Sequence, residues 1–202
     1  MIAENMHYGM ATIIKQIHKT KTLYLETDYS LPIEYQEYFT DNDWYEWESC
    51  EFDKIVIGEK CSRFPVKALA EYRQHSTKPV FSIEIEEGNQ AFTYKDGALF
   101  SKDMKTLIFF ADKTISNYTI PDGITEIGES AFQQCQTLFS VVIPNSVKII
   151  GEDAFSSCEG LTKLYIPESV TKIGYDAFFC VQQVYYNGTS IDTDNWGAHK
   201  LN

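Results

Sequence analysis

The sequence predicts a repeat solenoid, a β-rich right-handed coil of short parallel strands and short helical turns. Three observations carry that prediction. The segments starting at Ile120, Ile143 and Ile166 superimpose without gaps, reading IPDGITEIGESAFQQCQTLFSVV, IPNSVKIIGEDAFSSCEGLTKLY and IPESVTKIGYDAFFC. Pro121, Pro144 and Pro167 recur every 23 residues, as do Gly128, Gly151 and Gly174, and Phe132, Phe155 and Phe178. A unit of that size cannot cover its own apolar face, so neighbouring units must stack.

Each position in the unit has a physical reason. In Leu138-x-x-Val141-x-Ile143 and Leu161-x-x-Leu164-x-Ile166 the last apolar pair alternates with the period of a strand and points inward. The proline that follows has no N–H for a ladder, and Asp122-Gly123, Asn145-Ser146 and Glu168-Ser169 suit a turn. A second apolar run covers 124–127, 147–150 and 170–173. Ser130, Asp153 and Asp176 then stand before Ala-Phe, where a short polar side chain caps a helical turn; the alanine allows close approach and the phenylalanine fills the interior.

The pattern IP-x-x-V/I-x-x-IG-x-x-AF-x-x-C-x-x-L resembles the BspA-like leucine-rich repeats, a bacterial class, over residues 115 to 186. The resemblance implies a leucine-rich-repeat solenoid and a binding role, adhesive at a cell surface. Residues 88–110, GNQAFTYKDGALFSKDMKTLIFF, resemble an irregular unit of the same family in which a small meander interrupts the coils. Read from the residues alone, Asp96-Gly97 between two apolar runs is a tight-turn signal, and Asp103-Met104-Lys105 turns the chain again.

Upstream, Val80-x-x-Ile83-x-Ile85 and Phe52-x-x-Ile55-x-Ile57 keep the strand pattern, and Leu23 and Leu25 suggest one more strand. Cys61, Phe64, Ala68 and Leu69 reproduce the offsets of a regular coil, so residues 52 to 79 read as a degenerate one. Ile2, Met6, Ile13, Ile14 and Ile17 at near-helical spacing predict an N-terminal cap helix. VYYNGT…W, from Val184 to Trp196, resembles the family's closing segment. One continuous solenoid domain is expected: cap and first coil over 1–51, degenerate repeats over 52–85, an inserted meander over 86–114, regular repeats over 115–186 and a C-terminal cap over 187–202.

The 29 acidic and 17 basic residues give a net charge of −12, which repels phosphate backbones and anionic membranes and argues against nucleic acid as partner. Met1 to Tyr8 has neither a basic n-region nor an apolar h-region, and no stretch reaches bilayer length. The expectation is no membrane insertion and a cytoplasmic location, or a cell-surface or secreted one if the sequence is a piece of an exported chain. Asn117-Tyr118-Thr119 and Asn187-Gly188-Thr189 match the glycosylation pattern and carry no weight without export.

His7, His18, His75 and His199 are scattered, no glycine run cradles phosphate, and no catalytic residue, cofactor or metal is expected. Asp41-x-Asp43 lacks the remaining ligands of a calcium loop. Cys50, Cys61, Cys135, Cys158 and Cys180 have no zinc spacing and read as reduced, mostly buried thiols. Cys135 and Cys158 share one repeat position, about 5 Å apart in adjacent coils, where a disulfide is conceivable and packed thiols are the preferred reading.

Function is therefore expected in surface recognition, as a non-enzymatic protein-binding module with an unidentified protein partner. Stacking puts Asn117, Ser140, Lys163 and Gln183 in one outward column and Thr119, Val142, Tyr165 and Tyr185 in the next. Tyr165 and Tyr185 are candidate anchors, against the alternative that tyrosines simply suit strands. Trp44 and Trp47, beside carboxylates in Asp41 to Glu48, are candidates for a binding loop or for packing on the solenoid flank. The alternatives are a carbohydrate-binding or cell-surface adhesion module, or a cytoplasmic scaffold.

Overall fold

The computed structural model describes residues 22–26, 53–75 and 82–186. The expected cap helix over 1–18, the Trp44 and Trp47 segment, Cys50 and the closing segment over 187–202 lie outside the described residues.

Short strands repeat along the chain because each apolar pair alternates and is then stopped by a turn. β1 (Thr22–Leu25), β2 (Lys54–Ile57) and β3 (Ser82–Ile85) form a parallel three-stranded sheet in the order β1-β2-β3. Its register stacks Leu23, Ile55 and Ile83, then Leu25, Ile57 and Ile85. Between β2 and β3 the chain forms helix α1 (Val66–His75) where a turn like those of the regular coils was expected. VKALAEYRQH contains no glycine, and its Ala, Leu, Glu, Arg and Gln favour helix; Pro65 precedes it and its carbonyl accepts from Leu69 N at 3.1 Å. Among its described side chains, Leu69, Ala70, Tyr72 and Arg73 are buried.

β4 (Phe92–Lys95), β5 (Ala98–Ser101) and β6 (Thr106–Phe110) run antiparallel. Asp96 and Gly97 take φ of 49° and 79°, the left-handed pair that a two-residue hairpin turn requires. β6 then does two jobs. It pairs in parallel with β8 (Glu126–Ile127), so the last strand of the meander is also the first rung of the repeat wall. That six-stranded sheet runs β12-β10-β8-β6-β5-β4, with β10 at Ile149–Ile150 and β12 at Lys172–Ile173. The opposite wall carries β7 (Asn117–Thr119) paired with β9 (Ser140–Val142), and β11 (Leu164–Ile166) paired with β13 (Val184–Tyr186).

The third side of each coil differs from the expectation of capped helical turns. Ser130, Asp153 and Asp176 have φ of 53°, 52° and 48°, and Gln134, Ser157 and Cys180 repeat that conformation four residues later at 63°, 56° and 67°. An N-cap needs an extended φ, so these residues cap nothing. Alternate amides turn sideways instead: Ser130 N, Phe132 N and Gln134 N donate to Glu152 O, Ala154 O and Ser156 O of the next coil at 2.8, 2.8 and 2.9 Å. Short polar Ser and Asp suit the left-handed positions because they tolerate positive φ better than branched residues do. Stacking this close requires the repeated glycine: a Cβ on Gly151 would stand 2.5 Å from the Glu129 nitrogen.

Two cores result, and the antiparallel sheet lies between them. Successive strand residues face opposite sides, so in β5 Ala98 and Phe100 join the repeat core while Leu99 joins the core under β1, β2, β3 and α1; in β6 the register shift opposite Leu99 and Phe100 breaks the alternation, and Leu107 and Phe110 join the first core and Phe109 the second. The repeat core is a ladder of rings: Phe110 to Phe132, Phe132 to Phe155 and Phe155 to Phe178 stack at 5.1, 5.0 and 6.1 Å between centroids.

Candidate functional site

The outward columns of the strands form the candidate recognition surface. Register pairs Asn117 with Ser140 and Thr119 with Val142 on one ribbon, and Tyr165 with Tyr185 on the other. Asn117, Thr119, Ser140, Val142, Lys163 and Tyr165 are exposed, whereas Gln183 and Tyr185 are half-buried. The Tyr185 hydroxyl donates to Gln183 Oε1 at 2.9 Å, and its ring stacks on Tyr165 at 4.7 Å and 14°. Tyr185 therefore supports Tyr165 more than it offers itself.

Exposed apolar side chains stand here, Val142 at 53% and Tyr165 at 62%, while Tyr24, Tyr175 and Phe179 are exposed outside these columns. Phe139, 65% exposed and next to Ser140, adds to this surface and was missed in the sequence columns. The corresponding positions in the next coils are Thr162 and Gln182, so no repeated apolar signal marks it. Lys163 is the one charged residue in the two columns. Trp44 and Trp47, outside the described residues, are not placed on this surface.

Other candidate positions are less open. A shallow groove of about 590 Å³ between β3 and β4 is lined by Glu84, Glu86, Glu87, Lys102 and Tyr94. Two of its carboxylates are engaged, Glu84 with Lys54 at 2.5 Å and Glu86 with the Glu59 amide at 3.0 Å. Among the described residues no group of three or more His, Cys, Asp or Glu is arranged to hold a metal ion. No helix among them is long and apolar enough to cross a membrane.

Three perturbed titratable groups, Cys135, Cys158 and Lys113, sit where α1 meets the repeats. Cys61, Cys135, Cys158 and Cys180 are free thiols. Arg73, 2% exposed, donates from Nη1 to Gln133 O at 2.6 Å and to Cys135 Sγ at 2.8 Å, and from Nη2 to Phe110 O at 2.5 Å. Its guanidinium lies 4.2 Å from the Phe109 ring centroid. Burial pushes the Cys135 thiol up, but a hydrogen bond from Cys158 and the charges of Arg73 and Lys113 outweigh it and hold the thiol below its ordinary range. Burial, then the bond to Cys135, pushes Cys158 well above that range. Desolvation and the nearby Arg73 bring Lys113 down to about 8. Spacing in the sequence could place Cys135 beside Cys158 but gave no sign of Arg73.

Residues 105–191 match the model of the BspA type leucine-rich repeat region, in 6 copies. This part of the chain is a BspA type leucine-rich repeat region. One solved structure supports the leucine-rich repeat fold, and others match more loosely. A leucine-rich repeat protein from Eubacterium ventriosum superposes with a TM-score of 0.56 at 21% identity, covering 68% of this chain and 37% of that one. The pneumococcal vaccine antigen PcpA gives 0.43 at 19% identity over 70% of this chain and 40% of that one. A leucine rich cell surface protein from Faecalibacterium prausnitzii gives 0.40 at 20% identity over 73% and 42%. The chain thus spans about two fifths of the length of these neighbours. No match is found among the curated proteins. In the BspA type region, the repeated strand supplies the exposed columns and the repeated Ala-Phe turn supplies the stacked third side.

Proposed function

We propose that the chain is a non-enzymatic protein-binding module whose partner docks on the sheet face around Phe139, Val142 and Tyr165. The observation that carries this reading is the exposed apolar run of Phe139, Val142 and Tyr165 on columns with a single charge, in a chain of net charge −12. A sheet of short parallel strands is the usual recognition surface of a solenoid, and a tyrosine held by a stacked neighbour loses little side-chain entropy on binding. Asn117, Thr119, Ser140, Lys163 and Gln183 supply polar contacts around that centre.

The test is affinity capture from the native cell with the wild-type chain and with Tyr165→Ala plus Tyr185→Ala. The double variant is expected to keep its circular dichroism spectrum and lose a captured protein by a factor of ten or more, about 1.4 kcal/mol, as for loss of an interface anchor. Unchanged capture would refute the reading. The paired flat rings also favour a second reading, a carbohydrate ligand. Saturable glycan-array binding lost on Tyr165→Ala, with no protein captured, would replace the first reading by the second.

A further inference from the structure

The joint between helix α1 and the repeats holds a charge arrangement that packing does not explain. Arg73 is almost fully buried, and among the described residues no carboxylate bonds it. Its contacts are two main-chain carbonyls, an aromatic face and one sulfur, while Nε has no hydrogen-bond partner. The Lys113 amine, donating to Arg73 O at 2.8 Å, adds a second positive centre on the same side. An uncompensated buried guanidinium is costly, and the one group in contact with it able to become an anion is the Cys135 thiol.

Cys158 completes the cluster. It occupies Cys135's position in the next coil, where backbone bonds from Phe132 N to Ala154 O and from Gln134 N to Ser156 O keep the coils one strand spacing apart. That spacing, about 5 Å, lies within the Cα separation a disulfide spans. Cys158 Sγ lies 2.9 Å from Phe132 O, a main-chain carbonyl of the turn that carries Cys135.

We propose that Cys135 is a peroxide-reactive thiolate held by Arg73, that Cys158 is its resolving thiol, and that oxidation of the pair loosens helix α1 from the repeats. In the first step the Cys135 sulfur attacks hydrogen peroxide: an S–O bond forms, the O–O bond breaks, hydroxide leaves, and the sulfur loses two electrons to become a sulfenic acid. In the second, the Cys158 sulfur attacks Cys135: the S–S bond forms and the S–O bond breaks. The Cys158 proton leaves with the hydroxyl as water. The product removes the anion beneath Arg73 and leaves its Nη1 with Gln133 O alone. Burial admits only a small oxidant and makes the reaction follow local opening of α1, so its rate tracks that opening.

The experiment treats the reduced full chain with hydrogen peroxide, blocks remaining thiols with an alkylating agent and maps peptides by mass spectrometry. The expected product is a Cys135–Cys158 cross-link, formed faster than oxidation of Cys61 or Cys180. In Cys158→Ser the reaction stops at Cys135 sulfenic acid, trapped by dimedone. Arg73→Gln slows that trapping at least tenfold at neutral pH, and Lys113→Gln slows it less. Hydrogen exchange over residues 66–75 rises in the oxidised chain. Peroxide consumption that leaves Cys135 reduced, or a Cys158→Ser chain without a dimedone adduct at Cys135, overturns the assignment. A cross-link formed with unchanged exchange over α1 overturns the loosening. Because partner capture is not read, failure here is distinguishable from failure of the binding face.

Discussion

The regular coils and the stretch carrying α1 and the antiparallel strands bury comparable apolar side chains, yet they are held in different ways. In the coils, the same contact recurs: a phenylalanine on a phenylalanine, a turn amide on the next turn's carbonyl, a glycine beneath a backbone. In the upstream stretch the side-chain contacts that tie α1 and the antiparallel strands to their surroundings each occur once. Asn89 bonds Gly58 O, Cys61 O and the amides of Ala91 and Phe92, and Arg73 ties α1 to Phe110, Gln133 and Cys135. Repetition distributes stability over neighbours, whereas a singular contact concentrates it at a joint.

Breaking the ring ladder has the largest expected effect. Phe155→Ala leaves a ring-sized cavity between Phe132 and Phe178 and is expected to cost about 4 kcal/mol, read by urea denaturation. Its loss of hydrogen-exchange protection is expected to spread over several coils. Arg73→Met is expected to cost about 3 kcal/mol by leaving buried carbonyls unpaired, with protection lost chiefly over residues 66–75. Equal loss over residues 117–186 would show that the joint is no more local than the ladder.

A smaller effect comes from Lys113. The unfolded amine holds its proton to about pH 10.5 and the folded one releases it near 8, so between these values the folded state binds fewer protons. Its contribution therefore rises with pH across that window, and below pH 8 the folded chain bears the whole cost of the charged amine. Urea titrations of wild type and Lys113→Met should show the wild type gaining on the variant from pH 8 to 10.5; parallel curves would contradict the shift. The smallest effect belongs to the ion pair of Lys67 with Glu129, 2.5 Å long and well exposed at both ends. Glu129→Gln should cost under about 1 kcal/mol and the difference should vanish in high salt.

The repeat was legible because stacking imposes one period on every position that touches a neighbouring coil. Ile143, Gly151, Ala154 and Phe155 each answer to the same position one coil away, so spacing alone identifies their roles. The outward columns followed from the same period, and Val142 and Tyr165 stand exposed in them. Phe139 was not legible because nothing repeats at its position. Nor were the left-handed turns: Ser and Asp before Ala-Phe fit both a cap and a positive φ, and only the inter-coil amide bonds choose between them.

The sequence by itself determined the stacking period, the residues that face inward and the strands that present the outward columns, because each depends on local alternation and on a contact repeated every 23 residues. Tertiary structure alone decided that β6 serves both the antiparallel sheet and the repeat wall, and that Arg73 lies on Cys135, 62 residues away. Those contacts occur once and join segments far apart in the chain. Only the packing of two cores on the opposite faces of one sheet brings them together.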